Sequence, residues 1–371
     1  MRWSFKIGKL FGIDLKVHIT FLLILVWGAL NYGGSAGPLY GVLVTLSLFA
    51  LVVLHELGHS LAAMWYGIPV RDITLLPIGG VARLERMPEK PIQELVVAIA
   101  GPAVNVVLAA MLLPVVLGLG IFQTNALTLG LIMEPGLLGL SSFLLFANIS
   151  LLVFNMIPAF PLDGGRVLRA SIGLFTNYQR ATQIAVSIGR ALAILLGIFA
   201  LYEGQIFLTF IAFFIFIAGS QEGQAVAARG LLRRVQARQA LRENRVALSP
   251  YATVGQVASM MLSNPQTNFA VLDPADGQFL GVATSGRISE AMQSGQWHRR
   301  ITEVMDHAKT IPTIALSTTL DEVQDKLAEA STQFVAVYDG LHFKGVITTN
   351  DIYRVFQFLS QSGYASQKFA A

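Results

Sequence analysis

The 371-residue chain is 54% hydrophobic and only 13% charged, with a mean hydropathy of +0.61. A soluble domain carries about twice that charge fraction, so a membrane protein is expected. The net charge of +4 is too small a bias to suggest nucleic acid as a partner, and the absence of cysteine excludes disulfides and leaves His, Asp, Glu and Asn as metal ligands.

Arg2, Lys6, Lys9 and Lys16 precede an apolar run without a small-residue cleavage site, which reads as a retained span rather than a signal peptide. Six apolar stretches lie at about 18–30, 39–65, 95–119, 136–157, 184–202 and 206–227. Together they predict a polytopic α-helical membrane domain of six transmembrane helices. The segments 28–40, 118–135 and 203–205 hold no Lys or Arg. The alternate segments carry Arg71, Arg83, Arg86 and Lys90, then Arg166, Arg169 and Arg180, then Arg229, Arg233 and Arg234. The positive-inside rule makes the basic side cytoplasmic and predicts a multi-pass plasma-membrane protein with both termini in the cytoplasm.

His55-Glu56-Leu57-Gly58-His59 falls in the second stretch. On a helix, residues four apart share a face, so His55 and His59 can present their imidazoles to one ion with Glu56 alongside. That pattern suits a metalloprotease in which two His hold Zn2+ and the Glu takes a proton from water. Three ionisable groups within hydrocarbon are costly and rarely kept without a purpose. The fourth stretch closes on Asn155-Met156-Ile157-Pro158-Ala159-Phe160-Pro161-Leu162-Asp163-Gly164-Gly165, where two prolines forbid a regular helix. Read alone, Asp163 is either a metal ligand or a solvated residue at a helix stop. Beside the His pair, the ligand reading is favoured.

Between these motifs, Gly79-Gly80-Val81 lies in a basic loop after the His helix and reads either as a plain turn or as a short strand whose free edge pairs with substrate. His18 reads as an interfacial residue, Arg190 as one that snorkels to the cytoplasmic face, and His298, His307 and His342 as surface residues. The Arg-rich segment 229–245 reads as a basic linker helix, either held by anionic lipid or merely solvated.

From Val246 onward the composition is of soluble type and contains a repeat. Phe269-Ala270-Val271-Leu272 recurs as Phe334-Val335-Ala336-Val337, and Gly281-Val282-Ala283-Thr284 as Gly345-Val346-Ile347-Thr348, at offsets of 65 and 64 residues. One small αβ unit is duplicated, and neither half buries a good core alone, so the two are expected to pack as a pair.

With Gly101-Pro102-Ala103-Val104-Asn105 added, the His-Glu-Leu-Gly-His and Asn-Met-Ile-Pro-Ala-Phe-Pro-Leu-Asp-Gly-Gly motifs resemble the site-2 protease family of intramembrane zinc metalloproteases. The resemblance implies one Zn2+ per chain held by His55, His59 and Asp163, Glu56 as general base, Asn155 beside the developing oxyanion, and Asn105 as supporting structure. It also implies substrates that are single-pass membrane proteins cut near the cytoplasmic side, with membrane lipid around the enzyme. The repeated tail resembles a pair of CBS domains, with the second copy the fuller match. This implies a soluble α/β domain that takes ATP, ADP or AMP, with Thr348 and Asp351 as candidate contacts, and a homodimer formed through the pair. The first copy has Arg287 where the motif calls for Asp. The resulting division is 1–228 for the membrane protease domain, 229–245 for the linker, 246–303 and 304–360 for the two CBS copies, and 361–371 for a tail. The alternative reading is a CBS-gated transporter or channel, in which the buried His and Asp form a permeation site.

Overall fold

The computed structural model describes residues 3–77, 79–84, 88, 90–120, 135–242, 246–263 and 266–361. It divides into two compact units, Met1–Ala225 and Val226–Ala371. The expected tail at 361–371 lies essentially outside the described residues, as do Arg86, Arg245 and most of the 118–135 loop that lacks Lys and Arg.

The first unit opens with a hairpin rather than a helix. β1 (Ser4–Leu10) and β2 (Ile13–His18) pair antiparallel through a two-residue turn at Phe11 and Gly12, and α1 (Phe21–Asn31) follows. The first apolar stretch therefore yields a helix of only eleven residues, shorter than the roughly 20 that cross a bilayer. Among the described residues, five helices are long and apolar enough to cross: α2 (Pro38–Trp65), α3 (Pro91–Gly120), α4 (Leu137–Asn155), α6 (Tyr178–Tyr202) and α7 (Ile206–Leu232). α5 (Asp163–Gly173) is a short helix between α4 and α6.

After α2 the chain makes β3 (Val70–Leu76) and β4 (Gly79–Leu84), completing a sheet in the order β1-β2-β3-β4. Alternation places Ile13, Leu15 and Val17 of β2 and Ile73 and Leu75 of β3 against Phe49, Val53 and Leu57 of α2. Each such side chain, fully buried, contributes about 1.5–3 kcal/mol. Helices α2 and α3 approach closely at Gly58, where a Cβ would come within 2.7 Å of the Ala100 carbonyl oxygen.

The second unit repeats one αβ pattern. Its first half contains β5 (Ala247–Leu248), β6 (Asn268–Leu272) and β7 (Phe279–Thr284), with flanking helices at Val254–Ser263 and Ser285–Gln293; β8 (Asp306–His307) adds to the same sheet. The second half contains β9 (Thr313–Ala315), β10 (Phe334–Asp339) and β11 (His342–Thr348), with helices at Leu320–Glu329 and Thr349–Gln361. Each half has a core of its own. A third cluster, with Phe279 and Val282 from one half and Ile311, Phe334 and Val346 from the other, joins them, so the halves pack as a pair although, contrary to expectation, each buries a core without the other. Leu232, Val235, Ala237 and Ala240 of the basic segment are buried in the core of the second half, so that segment packs as part of the unit.

Candidate metal centre

His55 and His59 occupy successive turns of α2, and both are buried. Their Nε2 atoms are 3.1 Å apart, and each lies 3.1 Å from Oδ2 of Asp163. The carboxylate arrives at the first residue of α5, after the turn Pro158–Leu162 has broken the helical path from α4. Glycine makes that turn possible. A Cβ on Gly164 would meet the Ile157 carbonyl oxygen at 2.3 Å, and one on Gly165 would meet Ala159 backbone at 2.7 Å.

The remaining ring nitrogens are committed elsewhere. His55 Nδ1–H donates to Asn105 Oδ1 at 3.2 Å, and His59 Nδ1–H donates to the Val97 carbonyl at 2.7 Å. Both partners lie on α3. These bonds fix the tautomers with the two Nε2 lone pairs turned toward Asp163, the arrangement of a metal-binding imidazole. Asn105, expected only to support the structure, thus bonds His55 directly. Gly101, one turn earlier, leaves room for the rings, since a Cβ there would fall 2.2 Å from His59 Nε2 and 2.8 Å from His55 Nε2. Asn148 of α4, which the motifs did not single out, donates through Nδ2 to the Asn105 carbonyl at 2.6 Å; both Asn side chains are fully buried.

The three donor atoms suit a tetrahedral Zn2+. Ligands about 2.0–2.2 Å from the ion stand about 3.3 Å apart, close to the 3.1 Å found here, and His, His and carboxylate form one of the donor sets of catalytic zinc. Among the described residues this is the one cluster of three such groups within ligating distance of one another.

Glu56 follows His55 on α2, and its Oε2 accepts from the Ala82 N–H of β4 at 3.3 Å. β4 lies against α2 there: a Cβ on Gly80 would meet Glu56 Cγ at 2.9 Å. Gly79, Gly80 and Val81 thus form the start of a strand, and β4 is an edge of the sheet. Asn155 closes α4, half-buried. Behind the sheet, the buried Asp72 of β3 binds Arg83 through both carboxylate oxygens, Lys16 at 2.7 Å and the Thr74 hydroxyl at 3.1 Å. Burial works against the charged form of Asp72, but the bonds from Arg83 and Lys16 overcome it and hold its carboxyl at about 2.

The model of Peptidase family M50 matches residues 43–196, and that of the CBS domain matches residues 301–357. A zinc metalloprotease of Methanocaldococcus jannaschii is 31% identical over 359 residues, 97% of this chain and 98% of that protein. The chain belongs to peptidase family M50. It is a site-2 type zinc metalloprotease with a C-terminal CBS domain, and membership in a protease family removes the transporter reading. Stage IV sporulation protein FB of Bacillus subtilis is 27% identical over 216 residues, 57% of this chain and 67% of that relative. The solved site-2 protease of M. jannaschii is 36% identical and aligns with 60% of this chain and 95% of its own, at a TM-score of 0.44.

In the CBS unit, Thr348 and Asp351 are buried and bond each other. Asp351 Oδ2 accepts from the Thr348 hydroxyl at 2.7 Å and from its N–H at 3.0 Å, while Oδ1 lies 3.5 Å from Arg242 and 3.6 Å from Arg354. A separate polar cleft of about 700 Å3 is lined by Thr284, Ser285, Thr310, Gln333 and Asn350 among others. Arg287 pairs with Asp306, which also lines that cleft, at 2.6 Å.

Proposed function

We propose that this metalloprotease cuts transmembrane helices of other, single-pass membrane proteins on their cytoplasmic side, under the control of a CBS pair that responds to adenine nucleotides. The observation that carries the reading is the meeting of three elements at one point of α2: the His55–His59–Asp163 triangle, the Glu56 carboxylate, and the open edge of β4.

Zn2+ held by His55, His59 and Asp163 would supply Lewis acidity to a scissile carbonyl. Glu56 is the general base: its carboxylate takes a proton from the attacking water and returns it to the departing amine nitrogen. Asn155 donates its amide N–H to the carbonyl oxygen as charge develops there. A substrate must present extended backbone, because an intact helix hides its carbonyls. Gly79, Gly80 and Val81 begin the strand along which an unwound segment can pair, and that strand runs past Glu56 at Ala82. The alternation of basic loops with loops that lack Lys and Arg supports a plasma-membrane protein with both termini in the cytoplasm. The duplicated αβ unit supports nucleotide binding at Thr348 and Asp351 or in the polar cleft, and dimerisation through the pair.

The test is cleavage of a model transmembrane peptide by the full chain in liposomes. Glu56→Gln should lower the rate at least about 100-fold with zinc content unchanged. Turnover at the wild-type rate would end the assignment of Glu56 and with it this mechanism.

A further inference from the structure

The N-terminal hairpin has one apolar face that is left exposed among the described residues. Cross-strand partners share a face of a sheet, and the register pairs Phe5 with Val17 and Leu10 with Ile13. Val17 and Ile13 lie on the side that packs against α2. Phe5 and Leu10 continue that side past the helix and are 62% and 41% exposed; Trp3, two residues before Phe5, is 63% exposed, as is Ile7, at the bulge, at 60%. On the opposite side, Lys6 pairs with Lys16 and Lys9 with Asp14 in the register. The hairpin is therefore amphipathic, with its apolar side turned the same way as the face that the sheet offers to a membrane-spanning helix.

The turn adds a second observation. Phe11 and Gly12 both have positive φ, 48° and 88°. That geometry favours Asn, Asp or Gly, and a bulky residue there is an outlier. Phe11 is nonetheless at the tip and 70% exposed. A strained, exposed aromatic at a hairpin tip, between lysines and an apolar face, matches the chemistry of a bilayer boundary, where aromatic rings and basic side chains collect.

We infer that the β1–β2 hairpin is seated in the lipid boundary, with Trp3, Phe5, Leu10 and Phe11 among the upper acyl chains and Lys6 and Lys9 at the phosphates. The neighbouring α1 runs on from this anchor two residues after β2 and exposes Leu22, Leu23, Val26 and Leu30 in the same manner. The anchor holds one edge of the sheet whose other edge, β4, borders Glu56.

The test is Trp fluorescence of the full chain in phosphatidylcholine–phosphatidylglycerol liposomes, with and without lipid brominated near the top of the acyl chains. The four tryptophans are Trp3, Trp27, Trp65 and Trp297, so the Trp3 signal is the difference between wild type and Trp3→Phe, a change at an exposed position. A chain with Trp27, Trp65 and Trp297 replaced by Phe gives the same signal directly. Brominated lipid should lower Trp3 emission about two-fold or more, with little quenching by aqueous iodide. Phe11→Asn, which suits the turn, should weaken the bromolipid effect while leaving the protein folded. Quenching by iodide instead of bromolipid would overturn the inference. So would protection from both, which would mean that protein, from a second copy or a substrate, covers the face.

Discussion

A single amide illustrates how the site works at the scale of one residue. Asn105 Oδ1 accepts from His55 Nδ1, so the imidazole is held as the tautomer that offers Nε2 to a metal. Asn105→Leu keeps the branched shape of the side chain and removes that acceptor. Zinc affinity should fall about 10–100-fold, measured by competition with a chelator, while the fold, followed by circular dichroism, is retained; unchanged affinity would mean that the bond has no part in holding the ion. The His pair was legible in the sequence because four-residue spacing on a helix has one geometric meaning. Asp163 was legible only jointly, from two prolines that break the helix and the ligands that lacked a third. The direct role of Asn105 and the presence of Asn148 behind it were not legible, because one Asn in an apolar stretch reads equally as helix glue.

Among elements, the N-terminal sheet is where sequence and structure part. The apolar run after Val17 dominated the reading and suggested a first span from residue 18. The alternation Ile13, Leu15, Val17 against Asp14, Lys16, His18 carries the strand signal, but it is six residues long and leads straight into the apolar run. Its pairing with β3 is a contact across more than fifty residues and leaves no local mark. Asp72 ties these strands through Lys16 and Arg83. Because its folded-state pKa is depressed, to about 2 from 3.8, its contribution is present in full above about pH 4 and is lost as pH falls through 2. Asp72→Asn should therefore speed hydrogen exchange in β2, β3 and β4 at neutral pH, and the difference from wild type should shrink as pH falls from 4 toward 2. A difference independent of pH would show that charge is not what ties the strands. Elsewhere the buried Arg169 of α5 binds Glu94 of α3 at 2.8 Å and Glu222 of α7 at 2.5 Å between the rings of Phe160 and Tyr178, which fixes the helix that delivers Asp163.

For the whole molecule, the five long helices and the repeated αβ unit follow from hydropathy and from the 64–65-residue offset, both of which are sums over many residues and survive local noise. The basic segment did not read correctly as a separate linker, because its Arg residues masked Leu232, Val235, Ala237 and Ala240, which the second unit buries. If that unit binds adenine nucleotide, ATP at a hundredfold excess over its Kd should stabilise the full chain by about 2.7 kcal/mol, read as a rise in its thermal midpoint and accompanied by a change in cleavage rate; a midpoint indifferent to ATP, ADP and AMP would remove the nucleotide from the account. The proposed zinc site is narrower in scope: two imidazoles of one helix and a carboxylate from the start of another would hold one catalytic Zn2+. It is tested most directly by elemental analysis of the purified full chain beside Asp163→Ala and Glu56→Gln. About one zinc per chain is expected in the wild type and in Glu56→Gln, with loss of most of it in Asp163→Ala. A wild type that loads no zinc, or an Asp163→Ala chain that keeps it at the wild-type level, would contradict it.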